Sequence, residues 1–262
     1  MISSPSNPHV KQMRLLASDR RERRQERLFV LEGVRLVADA LRSSAELVLT
    51  LFAPEQLVIT EAGNALLDQL SGLSHAFEAT PAVIAAAAET VHPQGVVAVA
   101  RWPEIVPEPA GIMLVLDALQ DPGNLGTLLR SAAACGVAQV LCSRGSVDLY
   151  SPKVVRAAMG AHFRLPLLQD MEWHAIGAAC ARADHVYAAD MGASMPYYAA
   201  NWRQPSALMI GNEAQGLSTD AAAYATHHIS IPMRGGTESL NAGVAGSIIL
   251  FEALRQRSLG RS

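Results

Sequence analysis

Residues 231–254, IPMRGGTESLNAGVAGSIILFEAL, contain the most informative pattern in the chain. A short apolar strand is predicted to end at Pro232, and a loop through Gly235 and Gly236 leads to a helix that begins near Ser239. The helix has one apolar face, made by Leu240, Val244, Ile248, Phe251 and Leu254. Its first turns are small, with Gly243, Ala245, Gly246 and Ser247. Each glycine costs a helix about 1 kcal/mol, so we expect a ligand, another chain segment or a second subunit close to this backbone.

Two further loops follow predicted strands. In LMIGNEAQGLS, residues 208–218, a strand is followed by a loop between Gly211 and Gly216, and Glu213 lies on this loop. QDPGNLGTLLRSAAACGV, residues 120–137, turns into a helix with an apolar stripe, in which Asn124 is a good N-cap and Arg130 lies about two turns inside. Taken alone, the spacing favours a simple cap and an exposed helix arginine. The same ordinary interpretation makes Ser239 an N-cap and Asn241 a surface residue.

Short apolar runs alternate with helical stretches after residue 111. They are IMLVL from Ile112, VAQVLC from Val137, HVYAA from His185, ALMIG from Ala207 and ISIP from Ile229. This alternation predicts an α/β fold with a parallel sheet that is covered on both faces. Ligands of such sheets bind outside the carboxyl ends of the strands, so we expect the chemistry in the loops that follow these runs.

The domain organisation is indicated by RWPEIVPEPA, residues 101–110, where three prolines and two glutamates interrupt the apolar pattern. We interpret this stretch as a linker. Residues 1–100 are then a basic leader and a small α/β domain, and residues 111–262 form the parallel-sheet domain. In the small domain, LFVLEGVRLVADAL is typical of a strand that runs into a helix, ELVLTLFA of a second strand followed by LVIT, and VVAVA of a closing strand.

Composition excludes several classes of protein. The 262 residues are 50% hydrophobic and 17% charged, which is incompatible with an intrinsically disordered chain. The apolar stretch from Ala82 to Ala100 is broken by Glu89, His92 and Pro93, so no membrane span of about 20 residues is expected. The N-terminal residues have no apolar signal region, so the expected compartment is the cytoplasm. Three cysteines without metal or redox spacing (Cys135, Cys142 and Cys180) are interpreted as small core residues, and no metal site is predicted.

Positive charge is concentrated near the N-terminus, although the net charge is −3. The segment from Lys11 to Arg27 contains seven basic residues and three acidic ones. This segment fits either RNA contact or a solvated helix face with Glu–Arg pairs. The candidate RNA-binding residues are Lys11, Arg20, Arg21, Arg23, Arg24 and Arg27.

Together, DPGNLGTLLRSAAACGV, IGNEAQGLS and IPMRGGTESLNAGVAGSIILFEAL closely resemble the three motifs of the SpoU (TrmH-type) RNA ribose 2′-O-methyltransferases of the SPOUT superfamily. The resemblance extends from about Ile112 to Arg257. NPHVK and FVLEG are similar to the N-terminal substrate-binding domain of the two-domain members, a ribosomal-protein-like RNA-binding α/β domain.

The resemblance implies a methyltransferase domain with a deep trefoil knot, S-adenosylmethionine as methyl donor and an active homodimer. By position in the motifs, the cofactor would be held by Gly211, Ile231, Met233 and Leu240. The catalytic residues would be Asn124, Arg130, Glu213, Ser239 and Asn241. Arg130 would act with the substrate phosphate in activating the ribose hydroxyl, and Glu213 would fix either Arg130 or a neighbouring loop.

The N-terminal domain favours ribosomal RNA as the substrate, since tRNA-modifying members tend to lack that domain. A tRNA methyltransferase is the alternative within the family. A non-catalytic RNA-binding protein of the same fold would predict the loss of Asn124, Arg130, Glu213 or Asn241, and all four are present. A nucleotide-binding α/β enzyme unrelated to RNA would leave the arginine-rich leader unexplained.

Overall fold

The computed structural model describes residues 1–108, 110–235 and 239–259, so the linker residue Pro109 and the predicted loop residue Gly236 lie outside the described residues. The helices are α1 Pro8–Ser18, α2 Arg20–Glu26, α3 Val34–Arg42, α4 Pro54–Leu57, α5 Glu61–Leu70, α6 Pro81–Ala87, α7 Pro122–Ala134, α8 Pro152–Ala158, α9 Trp173–Cys180, α10 Thr219–Tyr224 and α11 Ala242–Ser258. The strands are β1 Leu28–Glu32, β2 Leu47–Phe52, β3 Ala76–Glu78, β4 Val96–Arg101, β5 Ile112–Leu116, β6 Gln139–Ser143, β7 Leu167–Met171, β8 His185–Ala189, β9 Met195–Pro196, β10 Ser206–Ile210 and β11 His227–Ser230.

The chain divides into two compact units. One contains residues 1–103 together with residues 150–163, and the other contains residues 104–149 and 164–262. The segment 150–163, which includes α8, therefore packs with the N-terminal residues although it follows β6 in the sequence. Tyr150 explains part of this arrangement, because its ring stacks on Trp102 at 4.0 Å and meets Phe29 edge-on at 5.1 Å. The functional division at residues 101–110 stays a prediction.

The first unit contains a four-stranded sheet in the order β1-β4-β2-β3. β4 pairs antiparallel with β1 and β2, while the short β3 pairs parallel with β2. The three predicted strands are confirmed. LVIT, residues 57–60, which follows the second strand, lies between two helices: α4 ends at Leu57, and the Thr60 hydroxyl accepts a hydrogen bond from the N–H of Gly63 to begin α5.

The second unit contains a seven-stranded sheet in the order β7-β6-β5-β10-β8-β11-β9, and every pair is parallel. The five predicted strands are confirmed, but the last one, β11, ends at Ser230 and not at the predicted Pro232. β5 and β10 are buried at every position, which is why all their residues except Ser206 are apolar. The sequence pattern missed β7 and β9, whose side chains are all half-buried or exposed.

The C-terminal helix α11 packs against α7 through its small residues. A Cβ atom on Gly246 would lie 2.4 Å from Cδ2 of Leu128, and one on Gly243 would lie 3.3 Å from Cα of Asn124. Of the three expectations for these small residues, close approach of another chain segment is therefore the observed one. The predicted apolar face is wrong as the buried face, because Val244 and Phe251 are 45% and 50% exposed. Ile249, Leu250 and Ala253 are buried instead.

The described residues also show how the chain stands with respect to membrane spans, metal sites and cysteine chemistry. None of their helices is both long and apolar enough to cross a membrane. Nowhere among them do three or more His, Cys, Asp or Glu side chains gather in a way that could hold a metal ion. The cysteines are free, and burial raises the pKa of the Cys142 thiol to about 12, with the negative charge of Asp170 adding to the effect.

Candidate active site

The loops that follow β5 and β10 meet because these two strands are neighbours and end side by side, with Leu116 opposite Ile210. Glu213 joins the two loops. Its carboxylate accepts hydrogen bonds from the backbone N–H groups of Gln120 at 3.2 Å and Asp121 at 3.0 Å. Of the two predicted partners for Glu213, the neighbouring loop is therefore the one observed within the described residues.

Asn124 lies at the centre of the site and is 8% exposed. Its side-chain N–H donates to Oε1 of Glu213 at 3.0 Å, and its Oδ1 accepts from Nδ2 of Asn241 at 2.6 Å. The prediction that Asn124 is the N-cap is wrong. Asp121 caps α7 instead, since its Oδ1 accepts the N–H of Asn124 at 2.7 Å. The side chain of Asn124 therefore does not cap α7, and it connects Glu213 with Asn241 instead.

Asn241 is the N-cap of α11, and its Oδ1 accepts the N–H of Val244 at 3.1 Å. The helix begins at Ala242, so the predicted start near Ser239 is wrong. Asn241 is exposed, as the surface interpretation expected, but its side chain also caps the helix. Ser239 is exposed at the end of the loop. One asparagine side chain thus begins the C-terminal helix and contacts α7.

The carboxylate of Glu213 is stabilised in its charged form. Partial burial acts to raise its pKa, but hydrogen bonds from Asn124 and from the backbone N–H groups of Glu213, Asp121 and Gln120 outweigh this effect. The net result is a pKa below the ordinary value of 4.5. Glu213 is therefore suited to hold loops together as an acceptor, and it is a poor proton donor near neutral pH.

Arg130 is exposed on α7. It lies about 9 Å further along the helix axis than Asn124, at about 1.5 Å per residue. Its side chain makes no hydrogen bond or ion pair with any residue of the described ranges. Its guanidinium group is thus available to a partner outside the chain, such as a phosphate.

The four predicted cofactor residues lie after the carboxyl ends of β10 and β11 and at the start of α11. Gly211, Ile231 and Leu240 are half-buried, and Met233 is 36% exposed. Gly211 is required by the loop itself, because a Cβ atom there would lie 2.2 Å from the backbone carbon of Gly216. The glycine therefore permits two backbone segments to pass each other, whatever ligand binds beside them.

Two residues that the sequence did not single out also hold these loops. Asn212 donates from Nδ2 to the carbonyl oxygen of Ala118 at 2.8 Å, and its Oδ1 accepts from the N–H of Ala214 at 2.9 Å. Ala118 has a positive φ of 50°, which is a strained conformation for a residue with a Cβ atom. Asn212 thus fixes the strained start of the β5–α7 loop, and its place directly before Glu213 was the available signal.

Asp117 is the second missed residue, and it is 2% exposed at the end of β5. Its carboxylate accepts the N–H of Ser218 at 2.7 Å and the hydroxyl of Ser143 at 3.0 Å. It therefore connects the ends of β5 and β6 with the loop after β10. A carboxylate directly after a buried apolar strand was the available sequence signal, and these contacts give Asp117 a structural role.

The candidate RNA-binding residues all belong to the first unit and differ in their surroundings. Arg23 is 4% exposed and donates to the carbonyl oxygens of Leu16 at 2.5 Å and Ala17 at 2.9 Å, so it caps the end of α1. An RNA contact for Arg23 is contradicted by this burial. Arg27 is exposed and lies over the ring of Trp102 at 5.9 Å. Lys11, Arg21 and Arg24 are exposed, while Arg20 is half-buried.

Comparisons with known proteins define the family. Residues 111–251 match the SpoU rRNA Methylase family, and residues 7–98 match the MRM3-like substrate binding domain. An uncharacterized tRNA/rRNA methyltransferase of Synechocystis is 34% identical, over 98% of this chain and 94% of the relative. The 23S rRNA (guanosine(2553)-2'-O)-methyltransferase RlmP of Bacillus subtilis is 29% identical, over 95% of this chain and 97% of the relative. The SpoU methyltransferase AviRb of Streptomyces viridochromogenes, solved in complex with the cofactor AdoMet, is 28% identical with a TM-score of 0.86, over 97% of this chain and 100% of that one.

The chain belongs to the SpoU rRNA methylase family, because this family model covers more than half of it. The predicted α/β fold with an N-terminal substrate-binding domain is confirmed. The enzyme class, an RNA 2′-O-methyltransferase, and S-adenosylmethionine as its cofactor are confirmed as well.

Proposed function

We propose that this enzyme methylates a ribose 2′-hydroxyl of ribosomal RNA. The observation that carries the proposal is the chain of hydrogen bonds from Asn241 through Asn124 to Glu213, which joins the three motif loops beside a helix that exposes Arg130. Ribosomal RNA is favoured because the Bacillus subtilis relative, which aligns over nearly its whole length, is named for 23S rRNA. Methylation of tRNA is the weaker alternative.

The residues predicted to hold the cofactor fit an adenosine-containing ligand. They combine backbone groups after β10 with half-buried apolar side chains at Ile231 and Leu240, and they lie at the carboxyl ends of parallel strands. We propose that Gly211, Ile231, Met233 and Leu240 hold S-adenosylmethionine there. When bound, the cofactor supplies an electrophilic methyl group on a sulfonium centre.

The protein must orient the ribose hydroxyl and assist the loss of its proton. A guanidinium stays protonated near neutral pH, so Arg130 is better suited to bind the adjacent phosphate and to stabilise developing negative charge than to accept the proton. Asn124 and Asn241 hold the loops in register, Glu213 keeps Asn124 oriented, and Ser239 is exposed where it can contact substrate or cofactor. These five roles are part of the proposal.

A homodimer is also proposed. Val244 and Phe251 lie seven residues apart on α11, so they share one face of the helix, and both are about half exposed. An apolar helix face of this kind is a natural subunit interface. The trefoil knot expected for the family, the domain division at residues 1–100, 101–110 and 111–262, and a cytoplasmic location belong to the same proposal. Free cysteines are consistent with a reducing compartment.

The proposal is tested by calorimetry and by methylation of RNA. The purified protein is titrated with S-adenosylmethionine and with S-adenosylhomocysteine, and it is then incubated with radiolabelled cofactor and unmodified 23S rRNA, 16S rRNA or tRNA. We expect about one cofactor bound per subunit. We also expect labelled rRNA, with the label in dinucleotides that resist base hydrolysis, because a methylated 2′-hydroxyl cannot cleave the adjacent linkage. Label confined to tRNA would overturn the choice of substrate, and cofactor binding without label in any RNA would overturn the catalytic proposal.

A further inference from the structure

An open cleft of about 720 Å³ lies between α1 and α6 in the first unit. One wall is formed by Lys11, Arg14, Leu15 and Ser18, which recur at intervals of three and four and therefore share one face of α1. The opposite wall is formed by the alanines at the end of α6 and by Glu89. The other face of α1, with Val10, Met13 and Leu16, is buried in the core. The cleft therefore has basic residues of α1 on one side and apolar residues of α6 on the other.

The cations of this region divide into engaged and available groups. Arg23 is buried as the cap of α1, while Arg20, Arg24 and Arg27 each interact with another group of the protein. In contrast, Lys11 and Arg14 are exposed and make no side-chain hydrogen bond or ion pair within the described part of the chain. Arg21 of α2 is likewise exposed without a side-chain partner among the described residues, but it does not line the cleft, so the cations available at the cleft are those of α1.

The acidic residue at the cleft does not oppose an anion strongly. The carboxylate of Glu89 lies 3.3 Å from Nη1 of Arg156 on α8, so its charge is partly neutralised. The surrounding segment from Lys11 to Arg27 has a local excess of four positive charges in a chain whose net charge is −3. Such a concentration attracts a polyanion to this face.

We propose that the cleft between α1 and α6 binds a single-stranded segment of the RNA substrate. Lys11 and Arg14 contact its phosphates, and Leu15 with the alanine wall contacts the apolar surfaces of its bases. The cleft favours a single strand because unstacked bases can turn toward the apolar wall of alanines, whereas the paired and stacked bases of a duplex cannot. This inference rests on the proposed function, and it adds Arg14, Leu15 and α6 to the RNA-binding surface.

The decisive variant is the double charge reversal Lys11→Glu/Arg14→Glu. Both side chains are exposed, so the fold and cofactor binding are expected to be unchanged. Affinity for a short fluorescein-labelled single-stranded RNA should fall about tenfold or more, and loss of two phosphate contacts should reduce the slope of log affinity against log salt by about 1.4. In methylation of 23S rRNA, KM should rise while kcat stays near that of the wild type. Arg35→Glu is the control for a charge reversal away from the cleft, because Arg35 is an exposed arginine on α3 of the same unit, and it is compared with each single reversal, Lys11→Glu and Arg14→Glu.

A second variant adds charge to the cleft. Ala85 is exposed on α6, and Ala85→Lys should tighten binding of the single strand. Unchanged affinity and KM in the double variant, an equal loss in the Arg35→Glu control, or tighter binding of duplex RNA than of the single strand would each overturn the inference. The proposed function fails separately, if the wild-type protein itself does not methylate rRNA.

Discussion

The side-chain amide of Asn241 donates a 2.6 Å hydrogen bond to the side-chain oxygen of Asn124. The same asparagine accepts the N–H of Val244 and so begins α11. A single side chain therefore has two functions, one in helix capping and one in the connection of α11 with α7. These functions use different atoms, Oδ1 for the cap and Nδ2 for the connection, so they can be separated by substitution.

The first prediction concerns Asn241→Asp and Asn241→Ala. The aspartate keeps the capping oxygen and loses stability only through its contact with Asn124, whereas alanine should cost about 1 kcal/mol for the lost cap in addition to the lost contact. The new carboxylate cannot donate a hydrogen bond to Asn124. If the side-chain amide of Asn124 turned over to donate to the aspartate, its oxygen would lie against the carboxylate of Glu213. Methyl transfer should therefore fall about tenfold or more in both variants. Thermal unfolding and initial rates measure the two effects, and an aspartate variant with full activity would contradict this role of Asn241.

The second prediction concerns Arg130→Ala. Because Arg130 is exposed and has no partner within the described residues, its removal should leave folding, cofactor binding and oligomeric state unchanged. Methylation should be abolished, since the phosphate and the developing charge lose their cation. Thermal unfolding, calorimetry, sedimentation and rate measurements check these four properties. Arg182→Ala, at another exposed arginine of the same unit, is the control and should retain activity.

For Arg130, a loss of cofactor affinity or a normal turnover rate would each contradict the assigned role. Arg130→Lys distinguishes a general positive charge from a bidentate contact. A lysine that restores most of the rate would indicate that charge alone is needed, while a rate as low as that of alanine would indicate that the planar guanidinium geometry is required.

The third prediction concerns pH and Glu213. The pKa of Glu213 is lowered in the folded protein, so its carboxylate contributes stability that is present above the ordinary value of 4.5 and is lost as pH falls through the folded pKa. Glu213→Gln should thus be less stable than the wild type near neutral pH, and the difference should shrink as pH falls below 4.5. Urea midpoints of both proteins, measured from about pH 7 to about pH 3, test the sign. A difference that grows toward acid pH would contradict the lowered pKa.

Five of the seven strands of the second unit could be predicted from the sequence, because central strands of a parallel sheet are buried on both faces. For this reason β5 is a continuous apolar run, and β10 is apolar at every position after Ser206. The prediction of the apolar face of α11 was wrong because glycines make part of the buried face. A search for periodic hydrophobic residues does not identify glycines as buried. Gly243 and Gly246 permit a close approach to α7 that only the folded chain reveals.

The site residues could be found from their motif, but their local roles could not. Ser239 and Asn241 are both good capping residues only two positions apart, and the contact with Asn124 is what favours Asn241 as the cap. Asp121 and Asn124 present the same ambiguity at the start of α7. The inclusion of residues 150–163 in the first unit depends on contacts with Phe29 and Trp102, which are distant in the sequence.

The fourth prediction concerns Gly211→Ala. A Cβ atom at this position would lie 2.2 Å from the backbone carbon of Gly216 and 2.4 Å from the backbone nitrogen of Leu217. Backbone atoms cannot rotate away as the end of a side chain can, so the loop would have to open, at a cost of about 1–3 kcal/mol or more. The paired backbone hydrogen bonds between Asn212 and Gly216, at 2.8 and 2.9 Å, would be strained with it.

Opening of this loop should displace Asn212 and Glu213 together, and we expect Gly211→Ala to lose most cofactor affinity and most activity. Gly192→Ala is the matched control, because a Cβ atom there would meet only Oδ1 of Asp190 at an ordinary 3.6 Å. Calorimetry with S-adenosylhomocysteine and thermal unfolding are measured for both variants. If the Gly211 variant binds as tightly as the control, the close passage of the backbone at Gly216 is not what shapes the cofactor loop, and the contribution of Gly211 must be sought in direct contact with the ligand.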